Sequence, residues 1–269
     1  MCRLLGYVAD RPVSVVEVLG EEGFADFTAL TAVHGDGWGM AWQAEDHTLQ
    51  HVSVADSASV DPSYDSLART PLGRAGFVHL RWASEDLAIT PENTHPFVEP
   101  DTSVGTIAFA HNGHIAPIDR LEGLLTDDSR TRLRGTTDSE RYFRLVLEYV
   151  EKEQDVETGV ARALGVMIRE FPTSSLNALL LAPSIMVAVH INSAATSPQT
   201  RLRALFEHED EIPARHTTEY FAMDYRELPG AVHVISSGLD EEGWTPVPAD
   251  TAAVVDLGSR DIRPLPISL

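Results

Sequence analysis

The sequence predicts an α+β fold in which two groups of short strands flank a central pair of helices. Short runs rich in aromatic and β-branched residues, bounded by turn residues, occur before residue 111 and again after residue 176. Between the two groups, apolar residues recur at the three- and four-residue spacing of an amphipathic helix. Because strands and helices do not alternate one by one, a layered α+β architecture is favoured over a parallel sheet with crossover helices.

Each predicted strand is a short run that lies between turn signals. The strands are expected at residues 4–9, 38–43, 49–53, 76–81, 106–110, 177–182, 185–192, 232–236 and 252–257.

The helical region is predicted to hold two helices. The first is expected over residues 139–153, and Thr137 and Glu140 have the spacing of a capping box at its start. The second is expected over residues 156–171, directly before Pro172.

Composition limits the class of protein. The 269 residues are 43% hydrophobic, enough for a sizeable core, and contain no repeat and no long linker, so residues 1–269 are expected to form one domain. The formal net charge of −21 disfavours nucleic-acid and anionic-lipid partners. No apolar run approaches the roughly 20 residues that span a bilayer, and no export signal is recognisable. A single cysteine permits no intrachain disulfide, and a cytoplasmic protein is expected.

Cys2 is the most informative residue because this only cysteine directly follows Met1. With Met1 removed, Cys2 carries a thiol nucleophile and a free α-amine in one residue. Their reference pKa values, about 8.5 for the thiol and about 7.7–8.0 for the amine, allow the amine to accept the thiol proton directly or through water. The competing interpretation is a small buried hydrophobe at the start of a strand.

Polar side chains follow two of the predicted strands. The Arg81 guanidinium can hold a carboxylate through two parallel hydrogen bonds, although an isolated arginine there is more often a surface ion-pair partner. Asn112 and Gly113 offer a side-chain amide and a closely approachable backbone N–H, the parts of an oxyanion hole. An isolated Asn-Gly pair is more often a hairpin turn.

Asp138 falls in the first turn of the first predicted helix. A carboxylate there stabilises the helix dipole, so by itself Asp138 indicates no function.

Taken together and in this order, these segments resemble the class II glutamine amidotransferases, an N-terminal-nucleophile family whose glutaminase domains begin with cysteine. The resemblance rests on Met1-Cys2 with Leu5-Gly6 and on residues 79–84 (HLRWAS), 93–97 (NTHPF), 111–113 (HNG) and 137–140 (TDSE). Residues 34–39 (HGDGWG), together with residues 92–97 (ENTHPF), are more similar to small stand-alone bacterial members than to domains fused to sugar-phosphate or purine synthases.

The resemblance implies a four-layer αββα N-terminal-nucleophile hydrolase fold, with two packed, mainly antiparallel sheets between helices. It implies that Cys2 attacks the glutamine side-chain amide to form a γ-glutamyl thioester, while its α-amine passes a proton to the departing ammonia. Asn112 and the Gly113 N–H are then the donors that hold the tetrahedral oxyanion.

The resemblance also implies how substrate is held. Arg81 is expected to bind the α-carboxylate and Asp138 the α-ammonium, a charge pattern complementary to a zwitterionic amino acid. Trp82 and Ser84 are expected to line the pocket. No cofactor is implied.

Some positions depart from the family pattern or give weak signals. Ser84 stands where threonine is frequent, and Glu85 stands where some synthase-linked relatives have histidine. His95 is interpreted either as a hydrogen-bonding residue behind the site or as a structural histidine in a turn. The pairs His47/His51 and His111/His114 lack the glutamate of a zinc-protease motif, so no metal is expected.

The expected reaction is hydrolysis of a γ-glutamyl amide, in the simplest case glutamine to glutamate and ammonia. Since the chain is too short for this domain plus a synthase, a separate ammonia-accepting subunit is one expectation. An alternative is hydrolysis of a larger γ-glutamyl compound, as in relatives of ergothioneine biosynthesis that act on a thiol-containing intermediate. A degenerate regulatory or assembly subunit is a third, against which the retention of every central catalytic group argues. The sequence does not indicate the oligomeric state.

Overall fold

The computed structural model describes residues 2–84, 87–213, 215–239 and 242–267, and its strands form two antiparallel sheets. In chain order the strands are β1 (Arg3–Val13), β2 (Trp38–Gln43), β3 (Leu49–Val54), β4 (Gly73–Leu80), β5 (Phe97–Glu99), β6 (Ile107–Asn112), β7 (Asn177–Leu181), β8 (Ile185–His190), β9 (Met223–Leu228), β10 (Ala231–Ser236), β11 (Thr245–Pro246), β12 (Thr251–Asp256) and β13 (Ile262–Pro264). The first sheet has the order β11-β9-β10-β1-β4-β2-β3, and the second has the order β13-β12-β8-β7-β6-β5.

Helices pack on the outer face of each sheet, and short helices also lie in the connections. They are α1 (Val15–Ala29), α2 (Pro62–Ala68), α3 (Ile118–Gly123), α4 (Asp127–Thr131), α5 (Asp138–Glu153), α6 (Val156–Glu170) and α7 (Gln199–Arg203). Apolar residues of α1 and α2 pack against the first sheet, and those of α5 and α6 pack against the second. A separate apolar core, which includes Leu4, Phe77, Ala110 and Leu179, lies between the two sheets.

These layers confirm the α+β prediction and its four-layer αββα arrangement. Each of the nine expected strands is present, with ends that differ by a few residues, and both expected helices form as α5 and α6. The antiparallel pairing of β1 with β4 places the start of β1 beside the end of β4, with Arg3 opposite Leu80 and Leu4 opposite His79. This pairing therefore brings Cys2, before β1, and Arg81, after β4, to the same end of the sheet.

Helix α1 is absent from the sequence prediction. Glu17, Gly20 and Glu22 interrupt its apolar pattern, and the backbone kinks at Gly20, where φ is +78°. The signal that identifies it is a capping box: Ser14 Oγ accepts a hydrogen bond from the Glu17 N–H, and the Glu17 carboxylate accepts one from the Ser14 N–H.

The capping box expected at α5 forms only in part. Thr137 Oγ1 accepts a hydrogen bond from the Glu140 N–H at 3.1 Å, as predicted. The Glu140 carboxylate instead accepts hydrogen bonds from the N–H groups of Arg134 and Gly135, both at 2.8 Å. The preceding loop offers two donors to one carboxylate, and this pair of bonds replaces the single bond to Thr137.

Among the described residues, no helix has both the length and the apolar content needed to cross a bilayer.

His233, on β10, makes the stability of the fold depend on pH. Burial and the nearby Arg226 guanidinium lower its pKa to about 4, and its Nδ1 accepts a hydrogen bond from Arg226 Nε at 3.1 Å. In the unfolded chain the histidine pKa is about 6.5. Between this pH and about 4, the unfolded state therefore binds a proton that the folded state does not bind. This contribution to stability is complete above pH 6.5 and is lost as the pH falls toward 4.

We therefore expect His233→Gln to flatten the dependence of the unfolding free energy on pH between 4.5 and 7, by up to about 3 kcal/mol across the window. Urea unfolding at several pH values measures it. His47→Asn is the matched control, because His47 is exposed and its positive φ of 66° suits asparagine. An unchanged pH slope in His233→Gln would contradict the assignment.

Candidate active site

Cys2 lies immediately before β1 and is only 6% exposed. Burial by itself raises the pKa of its thiol, but His79 and the Trp82 backbone N–H stabilise the thiolate and the pKa falls to about 6. At neutral pH the sulfur is therefore largely a thiolate, which is the reactive form of cysteine.

The Asn112 side chain connects Cys2 to the second sheet. Its Oδ1 accepts a hydrogen bond from the Cys2 backbone nitrogen at 2.9 Å. Its Nδ2 is buried and has no hydrogen-bond partner among the described residues. Since a buried amide donor without a partner is costly, the Asn112 Nδ2–H₂ beside Cys2 is a candidate donor to a ligand.

Gly113 approaches the neighbouring chain too closely for any side chain. A Cβ at this position would lie 2.0 Å from the Ser175 carbonyl oxygen and 2.4 Å from His111 Nε2. The Ser175 hydroxyl also donates a hydrogen bond to the Asn112 carbonyl oxygen at 3.0 Å. The Asn112-Gly113 segment is thus a fixed end of β6 and not a free hairpin turn.

Arg81 follows β4 and is held by backbone carbonyls. Its Nη1 donates to the Asp36 carbonyl oxygen at 3.3 Å and its Nη2 to that of Ala88 at 3.2 Å. Backbone hydrogen bonds from Asp36 N–H to the Arg81 carbonyl and from Arg81 N–H to the Gly37 carbonyl fix the same segment. Arg81 forms no ion pair with any carboxylate in the described parts of the chain, which leaves its charge available to a ligand.

The two residues expected to line the pocket have different positions. Ser84 lines a cavity of about 500 Å³, together with His114, Ser175 and Arg201. The Trp82 ring is buried beneath the Arg201 guanidinium, 4.3 Å from it, in a small apolar cluster. Trp82 supports one wall of the site and its backbone contacts the Cys2 sulfur, but its indole is not among the residues that line this cavity.

Asp138 lies at the start of α5 and contacts the segment that follows Gly113. Its Oδ2 accepts a hydrogen bond from the Ile115 N–H at 2.6 Å and lies 3.6 Å from His114 Nδ1. Burial alone raises the pKa of Asp138, but the bonds to His114 and Ile115 and the nearby His111 hold it below its usual value. Asp138 is therefore a buried carboxylate that stays negatively charged at neutral pH.

An arginine that the sequence analysis did not single out lies behind Cys2. Arg3 is fully buried, and its Nη1 donates to the Cys2 carbonyl oxygen at 2.8 Å. Its Nη2 lies 2.9 Å from His216 Nε2, which lies 3.0 Å from His34 Nε2, and its guanidinium covers the Tyr220 ring. A charged residue within an otherwise apolar strand is the sequence signal that could have identified it.

Two histidines complete the surroundings of Cys2. Ring centroids of His79 and His95 are 4.2 Å apart, and both side chains are buried. His95 is thus a buried residue close to the nucleophile and not a histidine of an exposed turn. Met1 and Glu85 lie outside the described residues.

The family model for class-II glutamine amidotransferases matches residues 1–210 of this chain. The chain belongs to the class-II glutamine amidotransferases. Membership makes it an enzyme of the N-terminal-cysteine type and indicates hydrolysis of the glutamine amide in general.

Two curated proteins are similar to parts of this amidotransferase. The protein named "Putative glutamine amidotransferase" of Haemophilus influenzae is 30% identical over 152 residues, which are 56% of this chain and 48% of that protein. The glutamine–fructose-6-phosphate aminotransferase (isomerizing) of Methanothermobacter thermautotrophicus is 35% identical over 105 residues, 39% of this chain and 17% of that protein. The matched part thus spans half or less of the length of these relatives.

Solved structures share the fold of this amidotransferase. A glutamine aminotransferase class-II domain protein from Silicibacter pomeroyi has a TM-score of 0.64 at 20% identity, with 98% of each chain covered. The glutamine phosphoribosylpyrophosphate amidotransferase of B. subtilis has a TM-score of 0.65 at 14% identity, with all of this chain and 50% of that chain covered. Both similarities confirm the N-terminal-nucleophile type of fold.

Proposed function

We propose that this enzyme hydrolyses a γ-glutamyl amide, glutamine in the simplest case, through a thioester on Cys2. The observation that carries the proposal is the double use of the Asn112 amide. Its oxygen holds the Cys2 nitrogen, and its Nδ2–H₂ is buried beside the nucleophile without a partner. Nucleophile and oxyanion donor are thus oriented by one side chain.

In the proposed reaction the Cys2 sulfur attacks the amide carbon of the substrate, and the carbonyl oxygen becomes an anion held by Asn112 Nδ2–H and the Gly113 N–H. The α-amine of Cys2 carries the proton that the thiol releases when it becomes the thiolate, and passes that proton to the amide nitrogen. The C–N bond then breaks, ammonia leaves and a γ-glutamyl thioester remains. Water attacks the thioester, releasing glutamate and restoring the thiol.

Charges at the site support recognition of the amino-acid end of the substrate. We assign the α-carboxylate to Arg81, whose guanidinium is buried without an ion-pair partner among the described residues, and the α-ammonium to the charged Asp138. We assign Ser84, which lines the cavity of about 500 Å³, to the wall of the substrate pocket.

Arg81→Ala is expected to raise KM about 10- to 100-fold with a small change in kcat, because the α-carboxylate does not change charge during the reaction. Arg81→Lys is the matched variant and should fall between, since lysine keeps the charge but not the paired hydrogen bonds. Steady-state kinetics under rapid-equilibrium binding measures both. A loss confined to kcat in Arg81→Ala would refute the assignment.

The mechanism requires that Met1 is removed, because an amide nitrogen at Cys2 cannot act as a base. We expect the active enzyme to have a mass that lacks one methionine, and N-terminal sequencing to begin at Cys2. Intact-mass spectrometry of a preparation with measured activity decides this. Full activity in a preparation that uniformly retains Met1 would rule out the free-amine mechanism.

We further propose that residues 1–269 form one glutaminase domain whose ammonia is used by a separate synthase protein. The two sheets and their helical layers contain all of the assigned groups, which supports this division. A panel of substrates tests the reaction: glutamine, larger γ-glutamyl amides including thiol-containing ones, and asparagine as the control. Release of glutamate from a γ-glutamyl compound but not of aspartate from asparagine is expected, and no turnover or binding of any γ-glutamyl compound would refute the proposal.

A further inference from the structure

A buried cluster of three metal-ligating side chains surrounds the nucleophile. One ligand atom each from Cys2, His79 and His95 lies within 4.8 Å of the other two, and all three residues are buried. The cluster combines the start of β1, the end of β4 and the segment before β5, so neither histidine is close to Cys2 in sequence.

Apart from the stabilisation that His79 gives the Cys2 thiolate, the imidazoles of His79 and His95 have no hydrogen-bonding role among the described residues. Both nitrogens of His79 and both of His95 are buried without a hydrogen-bond partner among the described residues. The neighbouring His111 is different, since its Nδ1 lies 2.8 Å from Ser139 Oγ and its Nε2 lies 2.9 Å from the Ser175 carbonyl oxygen. Buried polar atoms are nearly always paired, so two buried imidazoles without hydrogen-bond partners, each with one nitrogen close to the Cys2 sulfur, indicate a ligand of matching chemistry.

One thiolate and two imidazoles form a ligand set that selects Zn²⁺ over the hard cations Mg²⁺ and Ca²⁺, which require oxygen ligands. Ligand atoms around tetrahedral zinc are about 3.5 Å apart, so small side-chain rotations bring the three atoms into range. We propose that Cys2, His79 and His95 form a three-ligand Zn²⁺ site with an open fourth position.

Occupancy of this site and catalysis exclude one another, because zinc holds the sulfur that must attack the substrate. Binding of the ion does not rest on the proposed function, whereas the inhibition does. We therefore expect Zn²⁺ to protect Cys2 from alkylation, and to inhibit turnover until a chelator removes it.

Direct binding is the first test. Purified protein is titrated with Zn²⁺ in equilibrium dialysis and with Co²⁺ as a spectroscopic probe, with Mg²⁺ as the control ion. One Zn²⁺ per chain, a thiolate-to-Co²⁺ absorption band and no Mg²⁺ binding are expected. Because changing even an outer contact of a metal ligand costs about 10- to 100-fold in affinity, His95→Gln and His79→Gln should each weaken binding at least about 100-fold.

Two controls keep the test decisive. His114→Gln removes a histidine that lines the cavity beside Ser84 and is not one of the three ligands, so it should leave the Zn²⁺ affinity within about threefold of wild type. Alkylation of Cys2, the only cysteine, removes the sulfur ligand from the wild-type chain and decides the outcome if a histidine variant fails to fold. Absence of Zn²⁺ binding, or an affinity unchanged by alkylation, would overturn the proposal. Zinc binding without any γ-glutamyl turnover would overturn only the proposed function.

Discussion

Cys2→Ala is expected to reduce turnover of γ-glutamyl substrates by at least about 10⁴-fold, to the background of the assay. The substitution removes one sulfur atom from a buried position and adds no bulk, so the melting temperature should stay close to that of wild type. Substrate binding should also persist, because Arg81 and Asp138 are unchanged. Stopped-time glutamate release and thermal unfolding of the same preparation measure the two effects.

Chemical labelling provides the second readout for Cys2. An electrophilic glutamine analogue should modify wild type once, at Cys2, and should not modify Cys2→Ala, because the chain has no other cysteine. Cys2→Ser is the matched variant: it keeps a hydroxyl nucleophile of much higher pKa and should retain only a trace of activity. Labelling of another residue, or full turnover by Cys2→Ala, would show that the nucleophile is misassigned.

Asn112→Ala is expected to lower kcat by about 10²- to 10³-fold with little change in KM, since one oxyanion donor stabilises charge that appears only in the transition state. The structure permits a sharper variant. Asn112→Asp keeps an oxygen to accept the hydrogen bond from the Cys2 nitrogen, but replaces the free Nδ2–H₂ by a negative charge. Its kcat should fall at least as far as that of Asn112→Ala.

Asn177 offers the control for this pair of variants. It lies opposite Asn112 in the β6–β7 pairing and is equally buried, but its Nδ2 donates to the Phe221 carbonyl oxygen. Asn177→Ala should therefore lower the free energy of unfolding, while its kcat stays much closer to that of wild type than the kcat of Asn112→Ala does. If Asn177→Ala slows the reaction as much as Asn112→Ala does, the loss comes from disruption of the sheet and the oxyanion assignment fails.

The ordered motifs were sufficient to predict the family and the segments of the site. Three site residues are predictable because each lies at the end of a predicted apolar strand, where a polar side chain stands out from the sequence pattern and indicates a function: Cys2, Arg81 and Asn112. The antiparallel order of strands then brings these ends together. Roles of the individual side chains remain predictions, because they depend on a substrate.

The environment of the site was less predictable for a physical reason. Arg3, His79 and His95 have neighbours that are distant in sequence, and no local pattern reports whether a buried imidazole finds a partner. The Trp82 ring packs under the Arg201 guanidinium and does not line the cavity beside Ser84, so the expected place of Trp82 in the substrate pocket stays a prediction. The expectation that no metal binds rests on histidine pairs that are close in sequence. A search for such pairs does not find Cys2, His79 and His95, which come from three separate elements.

The proposed nucleophile and the proposed oxyanion donor are carried by opposite sheets, since Cys2 precedes β1 and Asn112 ends β6. The packing between the two sheets therefore sets the distance between these two residues. At Gly6 this interior is tightly packed: a methyl group there would lie 3.0 Å from Leu179 Cδ1 and 3.1 Å from the Met186 sulfur, so these side chains would have to shift. For anyone engineering a sturdier enzyme, added bulk between the sheets alters the gap across which the reaction occurs, whereas redesign of the outer helical faces leaves that gap untouched.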